Sequence, residues 1–290
     1  MGTDRAIARP SSAAESGVTI VVATRDRRTE LQRSLAHHEV PVIVVDNGST
    51  DGSVDAVRCG FPAVEVIALG HNRGAPARNL GVERARTPYV AFADDDSWWA
   101  PGALSTAARH LDAHPRLALA AARILVGESE ATDPVCELMR TAPLGVDPDM
   151  PGPSVLGFLA CGAVVRRRAF LAVGGFDDLV FFCGEEERVA LDLAAGGWGL
   201  AYVDDVVAHH RPSALRRPEA RQALAARNGV LTACLRRSWA IVGRRALSAA
   251  LGGPSSRAGL WAAVPLVPRA LARRRRVPTQ VEAAARRLGW

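Results

Sequence analysis

Lysine is missing from this chain altogether. All 36 basic residues are arginine, set against 30 acidic ones, for a formal net charge of +6. With the abundant alanine, this reads first as the codon usage of a GC-rich genome. Its chemical consequence is that every side-chain cation apart from histidine is a planar guanidinium, a shape suited to phosphate and diphosphate. Cysteine is scarce too: the five residues are scattered, odd in number and form no C-x-x-C pair. That argues against a disulfide framework or a cysteine zinc site, and for a reducing, cytoplasmic setting. No apolar run reaches the roughly eighteen residues of a membrane span. The opening "MGTDRAIARPSSAAESG" has no apolar core of the signal-peptide kind and reads as a disordered leader over residues 1–17. No G-x-G-x-x-G follows the first apolar run, which disfavours a dinucleotide-binding fold. No G-x-x-x-x-G-K-[ST] occurs, which excludes a P-loop nucleotidase. There is no internal repeat.

What is present is a core-forming chain of 290 residues, 48% of them hydrophobic, enough for one large domain with an appendage. Short β-branched runs stand at "VTIVVAT" (18–24), "VPVIVVD" (40–46), "VEVIAL" (64–69) and "YVAFADDD" (89–96). Helical patterns separate them. That alternation predicts a parallel α/β sheet buried on both faces, and such sheets bind ligands beyond the carboxyl ends of their strands. The middle is less regular. "LALAAARILVG" fits strand or helix, "VLGFLACGAVVRRRAFLAVGGF" fits a strand and a short helix, and a proline-rich stretch between them reads as a long loop of the functional kind. Residues 185–195 are helical in pattern and 200–210 strand-like.

Polar residues collect where the strands end. Thr24 and Arg25 close the first, Asp46 and Asn47 the second, and Asp94, Asp95 and Asp96 the fourth. In an extended segment Asp94 and Asp96 would point one way and Asp95 the other. Two carboxylates on one side suit a hard divalent cation, Mg2+ or Mn2+, which would offset their repulsion and take further oxygens from a diphosphate. The bland alternative is a solvated acidic turn before a helix. "HNRGAPARNLG" sets Arg73 and Arg78 about a helix start, an anion site or an ordinary helix entry. "CGEEERVALDL" opens a helix with three glutamates, matched to its dipole or supplying a general base. "VAHHRPS" ends a strand with two histidines.

The order of these segments resembles the inverting glycosyltransferases of family 2. "VATRDR", "VVDNGSTDGS", "NRGAPARNLGVERARTPYVAFADDD" and "GEEERVALDLAAGGW" carry the resemblance over about residues 18–213. It implies a GT-A fold, a mostly parallel central sheet flanked by helices, as a catalytic domain over 18–213 followed by a helical extension over 214–290. It implies a nucleotide-diphosphate sugar donor, an acceptor hydroxyl and a divalent cofactor, Mn2+ or Mg2+. Thr24, Arg25, Asp46 and Asn47 would meet the nucleotide. Arg78, Asp94 and Asp95 would lie on the donor side. Asp96, with Asp94 and His209, would hold the metal. Glu186, beside Glu185, falls at the general-base position, and Trp198 on the acceptor side. Arg188 and Val189 stand where the family often has aspartate and leucine, which leaves the choice between the two glutamates open. A catalytically silent nucleotide-sugar binding protein and a sugar-phosphate nucleotidyltransferase are the rival readings. The second normally shows a G-x-G-T-R-type loop, which is absent after the first strand.

Beyond about Pro212 arginine and alanine alternate with leucine and tryptophan in helical spacing, with Arg273 to Arg276 in a row. Such helices either pack on the sheet domain with a solvated basic face or dip into an anionic membrane surface. No aromatic-rich pattern accompanies the arginines, so nucleic acid is not expected.

Overall fold

The structure, a computed structural model, describes residues 17–212 and 218–290. The expected leader, Gly17 apart, lies outside the described residues. So does the expected junction at 213/214.

The first part of the chain runs β1 (Val18–Thr24), α1 (Arg28–Leu35), β2 (Val42–Asp46), α2 (Ser53–Gly60), β3 (Glu65–Ala68), α3 (Ala77–Arg84) and β4 (Tyr89–Asp94). β1 is central, parallel to β2 on one side and β4 on the other, and β2 is parallel to β3. Helices cover both faces of these strands, so β1 and β2 bury nearly every residue and read as unbroken apolar runs rather than alternating ones. Register does the functional placing. Thr24 pairs with Asp46, and Ala23 with Asp94, so three strand ends finish level on one rim.

The chain continues through β5 (Ser97–Trp99), α4 (Ala103–Ala113), β6 (Leu117–Val126), β7 (Ala131–Thr132), α5 (Pro134–Arg140), β8 (Ala163–Arg166), α6 (Arg167–Ala172), α7 (Glu185–Ala195) and β9 (Gly199–His210). The sheet order is β3-β2-β1-β4-β8-β6-β9-β5, with β7 beside β6. Only the first half is wholly parallel. β8 runs antiparallel to both β4 and β6, and β5 antiparallel to β9. The link from β6 to β8 is a loop carrying only β7, the short α5 and one 3-10 turn, so β8 returns beside β6 rather than crossing over in parallel.

Five helices follow: α8 (Pro218–Arg236), α9 (Trp239–Leu251), α10 (Pro254–Ala263), α11 (Val267–Ala272) and α12 (Thr279–Arg287). α8 packs Val230, Leu231, Cys234 and Leu235 against Leu179 and Val180, with α10 and α11 behind. α12 sets Val281 and Ala285 against Leu156 and Leu191. Arg237, fully buried at the end of α8, reaches Glu282 of α12 at 2.7 Å and ties the last helix down. Among the described residues no helix is long and apolar enough to cross a membrane.

Candidate active site

The rim of the parallel strands opens into a cleft of about 360 Å³, lined among others by Thr24, Arg25, Asn47, Arg78, Asp94, Asp95 and Asp96. Asp46 is buried and does not itself line the cleft, though its strand partner Thr24 and its neighbour Asn47 do. One of its oxygens accepts the backbone N–H groups of Gly48 and Ser49, at 3.1 and 2.9 Å. Its Oδ1 is buried and has no hydrogen-bond partner among the described residues. Asn47 braces the opposite wall, accepting from Arg73 N–H at 3.0 Å and donating to Gly74 carbonyl at 3.3 Å. Gly74 has φ +65°, and a Cβ there would sit 2.5 Å from the Phe181 carbonyl oxygen, so only glycine lets these two loops close.

All three aspartates of the triplet line this cleft. The expected alternation fails because β4 stops at Asp94 and a turn follows, so Asp95 does not swing to the far face. Asp95 accepts from Thr24 Oγ1 at 3.0 Å, and Arg27 stands 3.5 Å from both Asp95 and Asp96. Asp94 is paired with the buried guanidinium of Arg78. Burial would lower that guanidinium, but Asp94, Glu185 and Glu186 outweigh it and hold it above its ordinary value. Burial, and then the charges of Asp94 and Asp96, push Asp95 up to about 7.

His210, not His209, meets the triplet. β9 pairs Ser97 with His210 and Trp98 with His209, and neighbours on a strand face opposite ways. His209 therefore stacks on Trp98, ring centres 5.3 Å apart, and lies 3.3 Å from Glu130. His210 Nε2 lies 3.3 Å from Asp96 Oδ1. Ligating atoms of Asp94, Cys161 and His210 fall within 4.8 Å of one another. Burial raises the Cys161 thiol well above its usual range, and sulfur is a soft donor that hard cations such as Mg2+ and Mn2+ do not favour. Asp94 and His210 remain from that group, and Asp96 Oδ1 lies beside His210; oxygen and imidazole donors of this kind fit Mn2+ or Mg2+.

Glu185 and Glu186 open α7; neither lines this cleft, but the charges of both act on its Arg78. The turn into them is constrained: Phe181, Cys183 and Gly184 have φ of 35°, 68° and 85°, a strain typical of functional loops. Glu185 is buried, with Oε2 unpartnered. Burial, then Glu186, raises it to about 8. Burial also raises Glu186, which accepts from the Ala160 backbone N–H and keeps a partly exposed edge. Glu187 is already held by Arg245, at 2.7 Å, and by Arg237, at 3.5 Å. Arg188 points away from the cleft. It binds Asp192 at 2.9 Å and the Gly175 carbonyl, and it supports α7. Trp198 packs beneath Arg168 and at the rim of the main core.

Three residues at the site escape sequence reasoning. Arg27 leaves only the faint signal of an arginine-rich turn. His210 needs the β5–β9 register. Arg221 reaches the cleft from α8 and lies over the Phe182 ring at 5.5 Å, a long-range contact with no local signature.

With this geometry described, comparison with known proteins gives it a class. Residues 19–174 match the Glycosyl transferase family 2 model. The chain belongs to that family, and its fold is GT-A. It is 33% identical over 227 residues to the pre-mycofactocin glycosyltransferase of Mycobacterium tuberculosis, covering 74% of this chain and 47% of that protein. The chain thus spans about half the length of that relative. It is 27% identical over 241 residues to the N-acetylglucosaminyl-diphospho-decaprenol L-rhamnosyltransferase of the same organism, covering 69% and 78%. Among solved structures it resembles the mannosyltransferase PcManGT of Pyrobaculum calidifontis, in complex with GDP-Man and Mn2+. The TM-score is 0.57 at 20% identity, covering 94% of this chain and 87% of that one. S. aureus TarS 1–349 in complex with UDP-GlcNAc gives 0.56 at 19%, covering 92% and 83%.

Proposed function

We propose that this chain transfers a sugar from a nucleoside-diphosphate donor to a hydroxyl acceptor, inverting the anomeric carbon. One observation carries the reading: the acidic triplet and the buried Arg78 line one cleft, and His210 and a raised glutamate pair, from two further segments, stand close enough to act on them. Asp46 and Thr24 frame the nucleotide, with the free Oδ1 of Asp46 toward the base. Asp94, Asp96 and His210 hold the divalent cation. When bound, that cation supplies counter-charge to the leaving diphosphate. Arg25, Arg27 and Arg221 add guanidinium contacts to the same oxygens.

Glu186 takes the proton as the acceptor oxygen forms its bond to the anomeric carbon. The bond from that carbon to the diphosphate oxygen breaks, and its electron pair leaves with the diphosphate. A single displacement inverts the centre, and no enzyme-bound sugar is formed. The GDP-Man and UDP-GlcNAc complexes of the structural neighbours support the donor class. A thermal-shift screen of UDP-, GDP- and dTDP-sugars, with and without Mn2+, tests it. One donor should raise the melting temperature only when the metal is present. Slow release of nucleoside diphosphate from that donor separates an enzyme from a silent binding protein.

The helices after 218 fit docking to an anionic membrane. Leu251, Trp261 and Val264 are 78%, 72% and 50% exposed. The basic run is less available than its sequence promises. Arg273 pairs with Asp178 at 2.6 Å, and Arg274 binds carbonyls at the end of α8 and lies over Trp239 at 4.2 Å. Arg275 and Arg276 stay exposed, each worth about 1 kcal/mol near anionic lipid. The chain should sediment with anionic vesicles, and the Trp261→Ser, Leu251→Ser double variant should not. Equal sedimentation of both would contradict the docking.

A further inference from the structure

A second cavity, of about 480 Å³, opens beside the start of α7. Val135, Leu138 and Met139 of α5 form one wall, Phe158 another, and Trp290 and Leu288, at the end of α12, a third. Glu186 lies in its wall, so one carboxylate faces both this cavity and the charges of Arg78 and Asp94.

The cavity is built, not incidental. Gly157 gives way to the Trp290 ring, since a Cβ there would lie 2.9 Å from it. The Trp290 carbonyl accepts from buried Arg237 at 3.1 Å, and Arg237 also anchors α12 through Glu282. Residues of the family-matched stretch supply most of the lining, and α12 and the residues after it close one side through Arg287, Leu288 and Trp290.

Its chemistry selects an occupant. The size suits a small molecule. Polar groups are few: Thr141, the two glutamates and the exposed Arg287. Glu187 is already occupied by Arg245 and Arg237. A carbohydrate seated here would bury hydroxyls with almost nothing to bond, at a cost for each. An apolar body loses nothing and gains the surface of Leu138, Met139, Phe158 and Trp290, with Leu138 now 71% exposed at the mouth.

We infer that this cavity is the acceptor site and that the acceptor is a hydrophobic alcohol, its hydroxyl at Glu186 and its apolar body between α5 and Trp290. The inference rests on the transferase reading above and adds the acceptor class to it.

Saturation-transfer NMR on the full chain, with 2-phenylethanol and 1-octanol as probes and methyl β-glucoside as the hydroxyl-only comparison, tests it. Both alcohols should bind and the glucoside should not. Leu138→Arg, a change at an exposed position that should leave the melting temperature near its original value, should weaken alcohol binding at least fivefold. Trp290→Ala should weaken it as well. A nucleoside diphosphate titrated with Mn2+ into the same samples reads the donor cleft separately. If the nucleotide binds and the alcohols do not, the acceptor class is wrong and the transferase reading survives. Glucoside binding equal to that of the alcohols, or Leu138→Arg without effect, also overturns the inference. If the alcohols bind and no nucleotide does, the transferase reading fails, and the acceptor role falls with it.

Discussion

At the residue scale, two neighbouring glutamates have different surroundings. Glu185 is enclosed beside Arg78, whereas Glu186 reaches the second cavity. Glu186→Gln should lower turnover by about two to four orders of magnitude while donor binding is kept. Glu185→Gln should cost clearly less. Steady-state kinetics and donor titrations on both variants check this. In the parent enzyme the acid limb of the pH–rate profile should lie above the ordinary glutamate value of 4.5, because burial raises Glu186 and only the ionised form accepts a proton. Glu185 makes a prediction about stability. Its folded value, about 8, lies above its ordinary 4.5. Between those values the folded chain holds a proton that the unfolded chain releases. Its contribution to stability is complete below about 4.5 and is lost as pH rises through about 8. Urea unfolding at pH 5 and pH 8 should show a smaller loss across that window in Glu185→Gln than in the parent chain.

At the scale of elements, α3 does the positioning. Gly81 lets it lie directly on β1, where a Cβ would come within 2.5 Å of a Val21 methyl. Asn79 then staples it to the turn before α7, donating to the Phe176 carbonyl at 2.8 Å and accepting from its N–H at 2.9 Å. Arg78, between these anchors, is delivered to Asp94. Gly81→Ala should therefore destabilise by about 1–3 kcal/mol and also weaken donor binding, though it touches no ligand. Chemical denaturation and nucleotide titration on one preparation would read both effects. Gly81→Ala with parent stability and affinity would show that α3 has slack.

At the scale of the whole molecule, what the sequence made legible and what it hid divide along one line. Strand ends were readable because a parallel sheet must finish its strands on a common rim, and Thr24, Asp46 and Asp94 needed only their own strands to be recognised. His210 was hidden behind His209 because a single-residue register, set by pairing with β5, decides which ring faces the acids. β5 is three residues long and follows an acidic turn, so no periodicity marks it. Asp95 joined its neighbours because the strand stops one residue earlier than alternation assumes. Arg221 and Trp290 reach their cavities through helix packing across 30 to more than 100 residues of chain, where local pattern carries no information. Arg188, which departs from the family pattern, proves to be a buried support for α7.

Asp94, Asp96 and His210 are proposed to form one divalent-cation site beneath a nucleotide diphosphate. Isothermal titration of the best donor from the thermal-shift screen, with and without Mn2+, into the parent chain and Asp96→Ala tests it most directly. Affinity should rise with Mn2+ in the parent chain, and Asp96→Ala should abolish that gain. Binding of equal strength in both proteins, indifferent to the metal, would show that these residues hold no such cation.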